Sequence, residues 1–250
     1  MKTRSLLIYA LFCIYFLLRF STLCEGGECA RSDFVVAVDA GHTKEKGGAT
    51  SAAGVPEYSF NIIMADSLIR ELKKEGYTGS FLIGDSSLEG RAAAANQRNA
   101  DLLLSIHHDS VQQRYLSKWI HRGRTHLYCD RYKGFSIFTS QKNGAPDRSL
   151  LFARLLGAEM LKQGLSPSLH HAERTEGENR QLLDREKGIY RDDGLVILKG
   201  AFMPAVLLEC GIIVNRREEK LLRDAAYRMR IVTAIRRAIT AFCAARNFQH

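Results

Sequence analysis

Short apolar runs that end abruptly in polar residues are the feature that most constrains the fold of this chain. Residues 34–38 (FVVAV), 101–106 (DLLLSI) and 205–208 (AVLL) have the length and apolar character of buried strands. A strand without polar alternation is buried on both faces, as in a parallel sheet covered by helices. Helical patterns between these runs, such as residues 57–75, supply the crossovers that parallel strands require. The order predicts a single-domain α/β fold, with a mostly parallel sheet and helices on both faces.

The same patterns assign most of the remaining chain. Further strands are expected at residues 80–83, 135–139 and 195–198, and further helices at 88–99, 147–163 and 216–245. Two connections lack a clear period. The basic segment 111–134 is predicted to be irregular, and the charged segment 166–193 is predicted to be a loop.

The N-terminus has the pattern of a secretory signal peptide. Lys2 and Arg4 precede an apolar run at residues 5–18, and small and polar residues follow it. The run is short for a membrane span, which needs about 20 apolar residues, although a short uncleaved anchor is the alternative. We expect residues 1–24 to be removed by cleavage between residues 24 and 27. The protein is then exported, and no membrane contact is expected after cleavage.

The chain is basic, with 36 Lys and Arg residues against 27 Asp and Glu residues and a net charge of +9. Three of the positive charges, Lys2, Arg4 and Arg19, precede residue 25, so the remaining chain keeps a charge of +6. A positive surface favours anionic partners such as nucleic acid, a membrane surface or an anionic polymer. Nucleic acid is excluded as a partner because no recognisable binding module is present and an exported protein would not meet it.

Four cysteines follow the predicted signal peptide, at Cys29, Cys129, Cys210 and Cys243. They contain no CxxC pair, so the sequence does not indicate a cysteine zinc site. Either one disulfide in an oxidising compartment or buried free thiols fits this number, and the sequence does not choose between them.

Polar residues with metal-binding side chains stand where the predicted strands end. His42 follows the first strand, His107 follows the strand at 101–106, and Glu209 follows the strand at 205–208. In open parallel sheets, functional sites collect at the carboxyl ends of the strands. Two histidines and a carboxylate are a common zinc ligand set in hydrolases, and a second carboxylate acts as general acid and base. The pattern therefore indicates metal-assisted hydrolysis.

The motifs around these residues resemble those of the zinc-dependent N-acetylmuramoyl-L-alanine amidases built on a parallel α/β sheet. The DAGH segment ending at His42 is similar to the family's Asp-Pro-Gly-His, and the SIH segment ending at His107 matches its Ser-Ile-His. Glu57 opens a long helix after a glycine-rich loop, as does the family's glutamate ligand. The segment PAVLLECG, which contains Glu209, resembles Pro-Ala-Val-Leu-Val-Glu-x-Gly.

The resemblance implies a catalytic domain over residues 33–245. Within it, His42, Glu57 and His107 would hold Zn²⁺, and Glu209 would be catalytic. The implied reaction is hydrolysis of the amide bond between N-acetylmuramic acid and L-alanine in peptidoglycan or a muropeptide. The expected location is the periplasm, with the extracellular space as the alternative, and the sequence leaves open whether an activator protein takes part.

Several positions depart from the family pattern or have open roles. His108 and Asp109 replace the common Ala-Asn after the second histidine. His108 is open to three interpretations: a substrate contact, an extra ligand or a solvent-exposed residue. Asp109 and Arg91 are candidates for substrate contact or for supporting the ligands. His170 and His171 lie in the charged connection without a metal-ligand spacing, and we expect them to be solvent-exposed.

Two other functions are compatible with a metal site at this sheet edge. A zinc carboxypeptidase also uses two histidines and a glutamate, but it usually places the first two ligands as His-x-x-Glu. Here His42 and Glu57 are 15 residues apart, which counts against that alternative. A non-catalytic wall-binding protein could keep the fold, but the retention of all three ligand candidates and Glu209 argues against it.

Overall fold

A computed structural model describes residues 29–84 and 87–245. The predicted signal peptide, residues 1–24, lies outside the described residues. Seven strands form one sheet, and two more form a separate hairpin. The strands are β1 Val36–Ala40, β2 Phe81–Leu82, β3 Leu102–Asp109, β4 Ser117–His121, β5 Arg124–Tyr128, β6 Ser136–Thr139, β7 Gln181–Asp184, β8 Ile189–Arg191 and β9 Ala205–Ile212. The helices are α1 Glu57–Lys74, α2 Leu88–Gln97, α3 Pro146–Lys162, α4 Val196–Lys199, α5 Arg216–Arg223 and α6 Ala225–Ala244.

The large sheet is mostly parallel, as predicted. Its order is β2-β1-β3-β9-β6-β8-β7, and the pairs among β2, β1, β3 and β9 are all parallel. Strand β6 runs antiparallel to β9, and β7 runs antiparallel to β8. This order places β1, β3 and β9 side by side, so the ends that carry the predicted site residues meet at one edge.

Helices cover both faces of the sheet, which confirms the predicted layering. Alternate residues of a strand point to opposite faces. On one face, Val36 and Val38 of β1 belong to a core that includes residues of α1, α3 and α6. On the other face, Ala37 joins a smaller core with Ala95 of α2 and Ile197 of α4. The continuous apolar runs of the sequence reflect this burial on two sides.

Two predicted elements differ in the structure. Residues 195–198 were expected to be a strand, but α4 occupies Val196–Lys199. A short apolar run does not distinguish a strand from one buried helical turn, because it shows no period of either kind. The predicted single helix at 216–245 is interrupted at Asp224, whose extended backbone ends α5. Its side chain accepts a hydrogen bond from the Tyr227 amide and caps α6.

The two connections predicted to lack regular structure contain strands. Within residues 111–134, β4 and β5 form an antiparallel hairpin. Its two-residue turn, Arg122 and Gly123, has positive φ at both positions, which matches the twist of the strands. Within residues 166–193, β7 and β8 extend the large sheet at its edge. Both connections are held by contacts with residues distant in the sequence. The hydrophobic periodicity within each connection is therefore weak.

Both alternatives for the cysteines are realised. Cys29 and Cys243 form a disulfide, whereas Cys129 and Cys210 are buried free thiols. The bridge ties the segment before β1 to the C-terminal helix α6. Among the residues that the structure describes, no helix is long and apolar enough to span a membrane.

Candidate metal centre

Three of the predicted ligands converge at the edge where β1 and β3 end. His42 follows β1, Glu57 is the first residue of α1, and His107 lies in β3. His42 Nε2 lies 2.9 Å from Glu57 Oε2, and His107 Nδ1 lies 3.0 Å from Glu57 Oε1. One ligand atom from each residue lies within 4.8 Å of the other two. This spacing is compact enough for the three side chains to share one metal ion.

The backbone of His42 is held in an uncommon conformation. Its φ of 68° lies in the left-handed region, which non-glycine residues seldom adopt outside constrained sites. Arg91, which is buried, donates hydrogen bonds to the carbonyl oxygens of His42 and Ala40 and to Asp39 Oδ1. Ser105 donates to Asp39 Oδ2 at 2.6 Å. The DAGH and SIH segments therefore contribute a supporting network as well as two histidines.

Both carboxylate oxygens of Glu57 are held by further donors. The Ala49 amide donates to Oε2, while the His108 amide and the Asn61 side chain donate to Oε1. Burial raises the pKa of Glu57, but the hydrogen bonds from the His107 and His42 rings outweigh it and hold the pKa well below its usual range. The side chain is therefore an ionised ligand candidate.

Two glycines make room for this cluster. A Cβ at Gly41 would overlap the His107 ring. A Cβ at Gly48 would lie 2.5 Å from both Glu57 Oε2 and the His42 ring, and the φ of +75° at Gly48 also favours glycine. The glycine-rich loop thus closes tightly over the three side chains.

The donor set fits zinc. Two imidazole nitrogens and one carboxylate oxygen are ligands that zinc takes in catalytic sites, where a further position remains for water or substrate. The tight glycine packing and the hydrogen bonds to Glu57 restrict the positions of the donor atoms, as the outer partners of metal ligands commonly do.

Glu209 lies beside the cluster on the neighbouring strand. It is paired with His107 in the register of β3 and β9. Its Oε2 atom is buried and has no hydrogen-bond partner among residues 29–84 and 87–245. Burial raises the pKa of Glu209 well above its usual value, and the negative charges of Asp109 and Glu57 raise it further. A carboxyl group in this position is available to exchange protons next to the cluster.

His108 packs against α1. With 1% of its surface exposed, it is not the solvent-exposed residue of the third interpretation. Its Nδ1 lies 2.7 Å from Asn61 Oδ1, and its ring packs near Phe60. Burial, the largest effect, lowers the pKa of His108 to about 3, so the ring is neutral. It supports the helix that carries Glu57.

Asp109 belongs to a second cluster. Its Oδ2 atom lies 2.9 Å from His171 Nε2 and 3.3 Å from His170 Nε2. The prediction that His170 and His171 are solvent-exposed is wrong, because both are buried in a 3₁₀ turn at the edge of the sheet. Sequence reasoning missed this cluster because Asp109 and the histidine pair are about 60 residues apart, with no motif linking them.

Comparison with known proteins identifies similar chains and structures. A family model described as N-acetylmuramoyl-L-alanine amidase matches residues 36–241. The amidase AmiA of Escherichia coli is 26% identical over 237 residues, which cover 83% of this chain and 75% of AmiA. The crystal structure of the amidase Ami1 from Mycobacterium smegmatis superposes with a TM-score of 0.66 at 20% identity, covering 85% of this chain and 98% of that one.

A second similar structure is the CwlD amidase from Clostridioides difficile, solved in complex with the GerS lipoprotein. It has a TM-score of 0.57 at 21% identity and covers 85% of this chain and all of that one. The likeness to the two solved structures shows the fold.

The family match extends over most of the sequence. The chain is an α/β domain with three side chains able to hold a metal ion at the carboxyl edge of its sheet. It belongs to the N-acetylmuramoyl-L-alanine amidase family. That family is generally metal-dependent, and the described residues include side-chain groups able to hold a metal ion.

Proposed function

We propose that this protein is a zinc-dependent peptidoglycan hydrolase that cleaves the amide bond between N-acetylmuramic acid and L-alanine. The observation that carries the proposal is the convergence of His42, Glu57 and His107, with Glu209 on the adjacent strand. This arrangement occurs in a chain that belongs to the amidase family over residues 36–241. The family match favours this reaction over that of a zinc carboxypeptidase.

The roles of the residues follow from their positions. His42, Glu57 and His107 would hold Zn²⁺, which, when bound, polarises the scissile carbonyl and makes water a stronger acid. Glu209 accepts a proton from the attacking water and delivers it to the nitrogen of the departing L-alanine. Arg91 and Asp39 keep His42 in its left-handed conformation. The products are a free stem peptide and a glycan without the peptide.

The proposal extends to location and partners. Residues 1–24 act as a signal peptide cleaved between residues 24 and 27, and residues 33–245 form the catalytic domain of the exported protein. The periplasm is the proposed location, with the extracellular space as the alternative. Peptidoglycan carries stem-peptide carboxylates, which attract a basic protein in a salt-dependent way. CwlD was solved in complex with the GerS lipoprotein, and this complex supports the proposal that the present chain also binds a partner protein.

The role of Glu209 is tested by the isosteric substitution Glu209→Gln. This variant keeps the shape of the side chain but cannot take up a proton, so we expect a loss of about 10²-fold or more in turnover. The zinc content should match that of the unaltered chain, because Glu209 is not one of the three ligands. Cleavage of a defined muropeptide and zinc content by mass spectrometry are the two measurements.

An exposed glutamate supplies the matched control. Glu186→Gln makes the same chemical change in the exposed turn between β7 and β8 and should leave turnover unchanged. Full activity of Glu209→Gln at normal zinc content would remove Glu209 from the mechanism. Binding to wall material by the zinc-loaded unaltered chain without any hydrolysis would instead support the non-catalytic alternative.

A further inference from the structure

The second cluster has the geometry of a ligand set. His170 Nε2, His171 Nε2 and Asp109 Oδ2 point toward one another, and one ligand atom from each lies within 4.8 Å of the other two. The two imidazole rings lie close together, with centroids 3.9 Å apart and planes inclined at 36°. Two histidines and one aspartate form the same kind of donor set as the first cluster, and zinc takes such sets.

Each histidine has its other ring nitrogen fixed by an outer partner. His171 Nδ1 lies 3.0 Å from Glu178 Oε2, and His170 Nδ1 lies 2.9 Å from Ser168 Oγ. Histidines that bind metals usually have this arrangement, in which a carboxylate or another polar group orients the ring. Both rings are therefore locked with Nε2 facing the carboxylate of Asp109.

The Nε2 atom of His170 is the strongest indication that this cluster binds an ion. The residue is 4% exposed, and its Nε2 makes no hydrogen bond to any residue in the described part of the chain. The nearest acceptor, Asp109 Oδ2, lies 3.3 Å away and is already approached by His171 Nε2 at 2.9 Å. A buried ring nitrogen without a partner is costly, and a cation between His170 Nε2 and Asp109 Oδ2 would contact both atoms.

The cluster is accessible from solvent. Asp109, His171 and Glu178 line a cavity of about 320 Å³, with Arg180 and Gln112 on its wall. The cavity gives solvent access to Asp109 and His171, and the buried His170 Nε2 lies 3.3 Å from Asp109 Oδ2. The cavity lies beside β3, the strand that also carries His107 of the first cluster.

We propose that Asp109, His170 and His171 form a second zinc-binding site, separate from the His42, Glu57 and His107 cluster. The ion would join the end of β3 to the turn His170–Ala172, and so fasten the connection between α3 and β7 to the edge of the sheet. Glu178 and Ser168 are the outer partners that orient the two rings. Three protein ligands leave a fourth position for water.

Zinc stoichiometry tests this proposal without measuring activity. The purified chain is stripped with a chelator and titrated with Zn²⁺ by calorimetry, and we expect about two equivalents to bind. The variant His170→Gln/His171→Gln should bind about one, and the variant His42→Ala/Glu57→Gln should also bind about one. Far-UV circular dichroism checks that each variant is folded.

Two further variants sharpen the result. Glu178→Gln keeps all three ligands but weakens the orientation of His171, so the dissociation constant of the second equivalent should rise by about 10- to 100-fold. His121→Gln/His126→Gln removes two histidines from the β4–β5 hairpin, outside both clusters, and should still bind both equivalents.

The outcomes separate the two sites. One equivalent in the unaltered chain that persists in His170→Gln/His171→Gln would overturn the second site and leave the first intact. One equivalent that persists in His42→Ala/Glu57→Gln and is lost in His170→Gln/His171→Gln would support the second site and contradict the metal centre of the proposed function.

Discussion

Arg91 shows how a residue without metal-binding chemistry can support the backbone of a proposed metal ligand. Its guanidinium group donates to Asp39 Oδ1 at 2.9 Å, to the Ala40 carbonyl at 2.8 Å and to the His42 carbonyl. The fixed planar fork of arginine suits several acceptors at once, whereas lysine presents a single ammonium group on a flexible stem. The positive charge alone is therefore not sufficient at this position.

We expect Arg91→Lys to weaken zinc binding at the first site by about 10- to 100-fold, because the support of His42 is lost while the charge is kept. Competition with a chelator of known affinity measures this change. Arg185→Lys, on an exposed turn, makes the same exchange away from the site and should have no effect. Unchanged zinc affinity in Arg91→Lys would show that the arginine does not position His42.

Glu218 is a buried carboxyl group that links folding to pH. Burial raises its pKa to about 7, although the backbone amides of Ile212 and Gly134 donate to it and act in the opposite direction. The folded chain then holds a proton that the unfolded chain releases between pH 4.5 and 7. This group therefore makes the free energy of unfolding fall as the pH rises through that range.

Replacing Glu218 with glutamine should remove this dependence. Between pH 4 and pH 8, the difference in free energy of unfolding, variant minus unaltered chain, should increase by up to about 3 kcal/mol. Urea unfolding at several pH values measures it. A difference that stays constant with pH would mean that the carboxyl group has the same pKa in the folded and unfolded chains.

Among the strands and helices, the sequence predicts best those whose hydrophobic pattern matches their burial in the structure. The apolar runs at β1, β3 and β9 are buried on both sides, so their sequence carries the strand signal without ambiguity. Because parallel strands align their ends, the positions of His42, His107 and Glu209 followed from the strands that precede them. The convergence of His42 and His107 was accessible in this way, whereas Glu57, the first residue of α1, was expected as a ligand from the family resemblance.

The elements that the sequence did not predict are held in place by contacts with residues distant in the chain. The β4–β5 hairpin has little apolar character because its residues are mostly exposed or half-buried. Trp119 of β4 donates to the Ala52 carbonyl, and Arg216 lies over the Tyr128 ring, so long-range contacts fix its place. The sequence does not reveal the cluster of Asp109, His170 and His171 for the same reason, because Asp109 is far from the histidine pair in the chain and contacts it only in the folded sheet.

In the molecule as a whole, the disulfide between Cys29 and Cys243 joins the segment before β1 to helix α6. It joins residues 214 positions apart, so it restricts nearly the entire unfolded chain. The chain-entropy argument gives about 5 kcal/mol for a loop of this length, with measured values more often at 2–4 kcal/mol. Such a bridge also fits the oxidising compartment of the proposed exported protein.

We therefore expect Cys243→Ser to lower the free energy of unfolding by about 2–5 kcal/mol under oxidising conditions. Adding a reductant should destabilise the unaltered chain by a similar amount and leave the variant unchanged. Urea titrations with and without reductant measure both effects. Equal stability of the two proteins before reduction would show that the bridge does not constrain the unfolded chain.

We propose that the protein cleaves the amide bond between N-acetylmuramic acid and L-alanine, and that His42, Glu57 and His107 hold the metal that the reaction needs. The most direct test of this proposal is mass spectrometry of the products from a defined muropeptide, with chelator and with Zn²⁺ restored. We expect two products, a stem peptide with a free L-alanine amino terminus and a glycan without the peptide. Both products should disappear when the metal is chelated and return when zinc is restored. Release of a C-terminal amino acid instead, or no product from the zinc-loaded protein, would contradict the proposal.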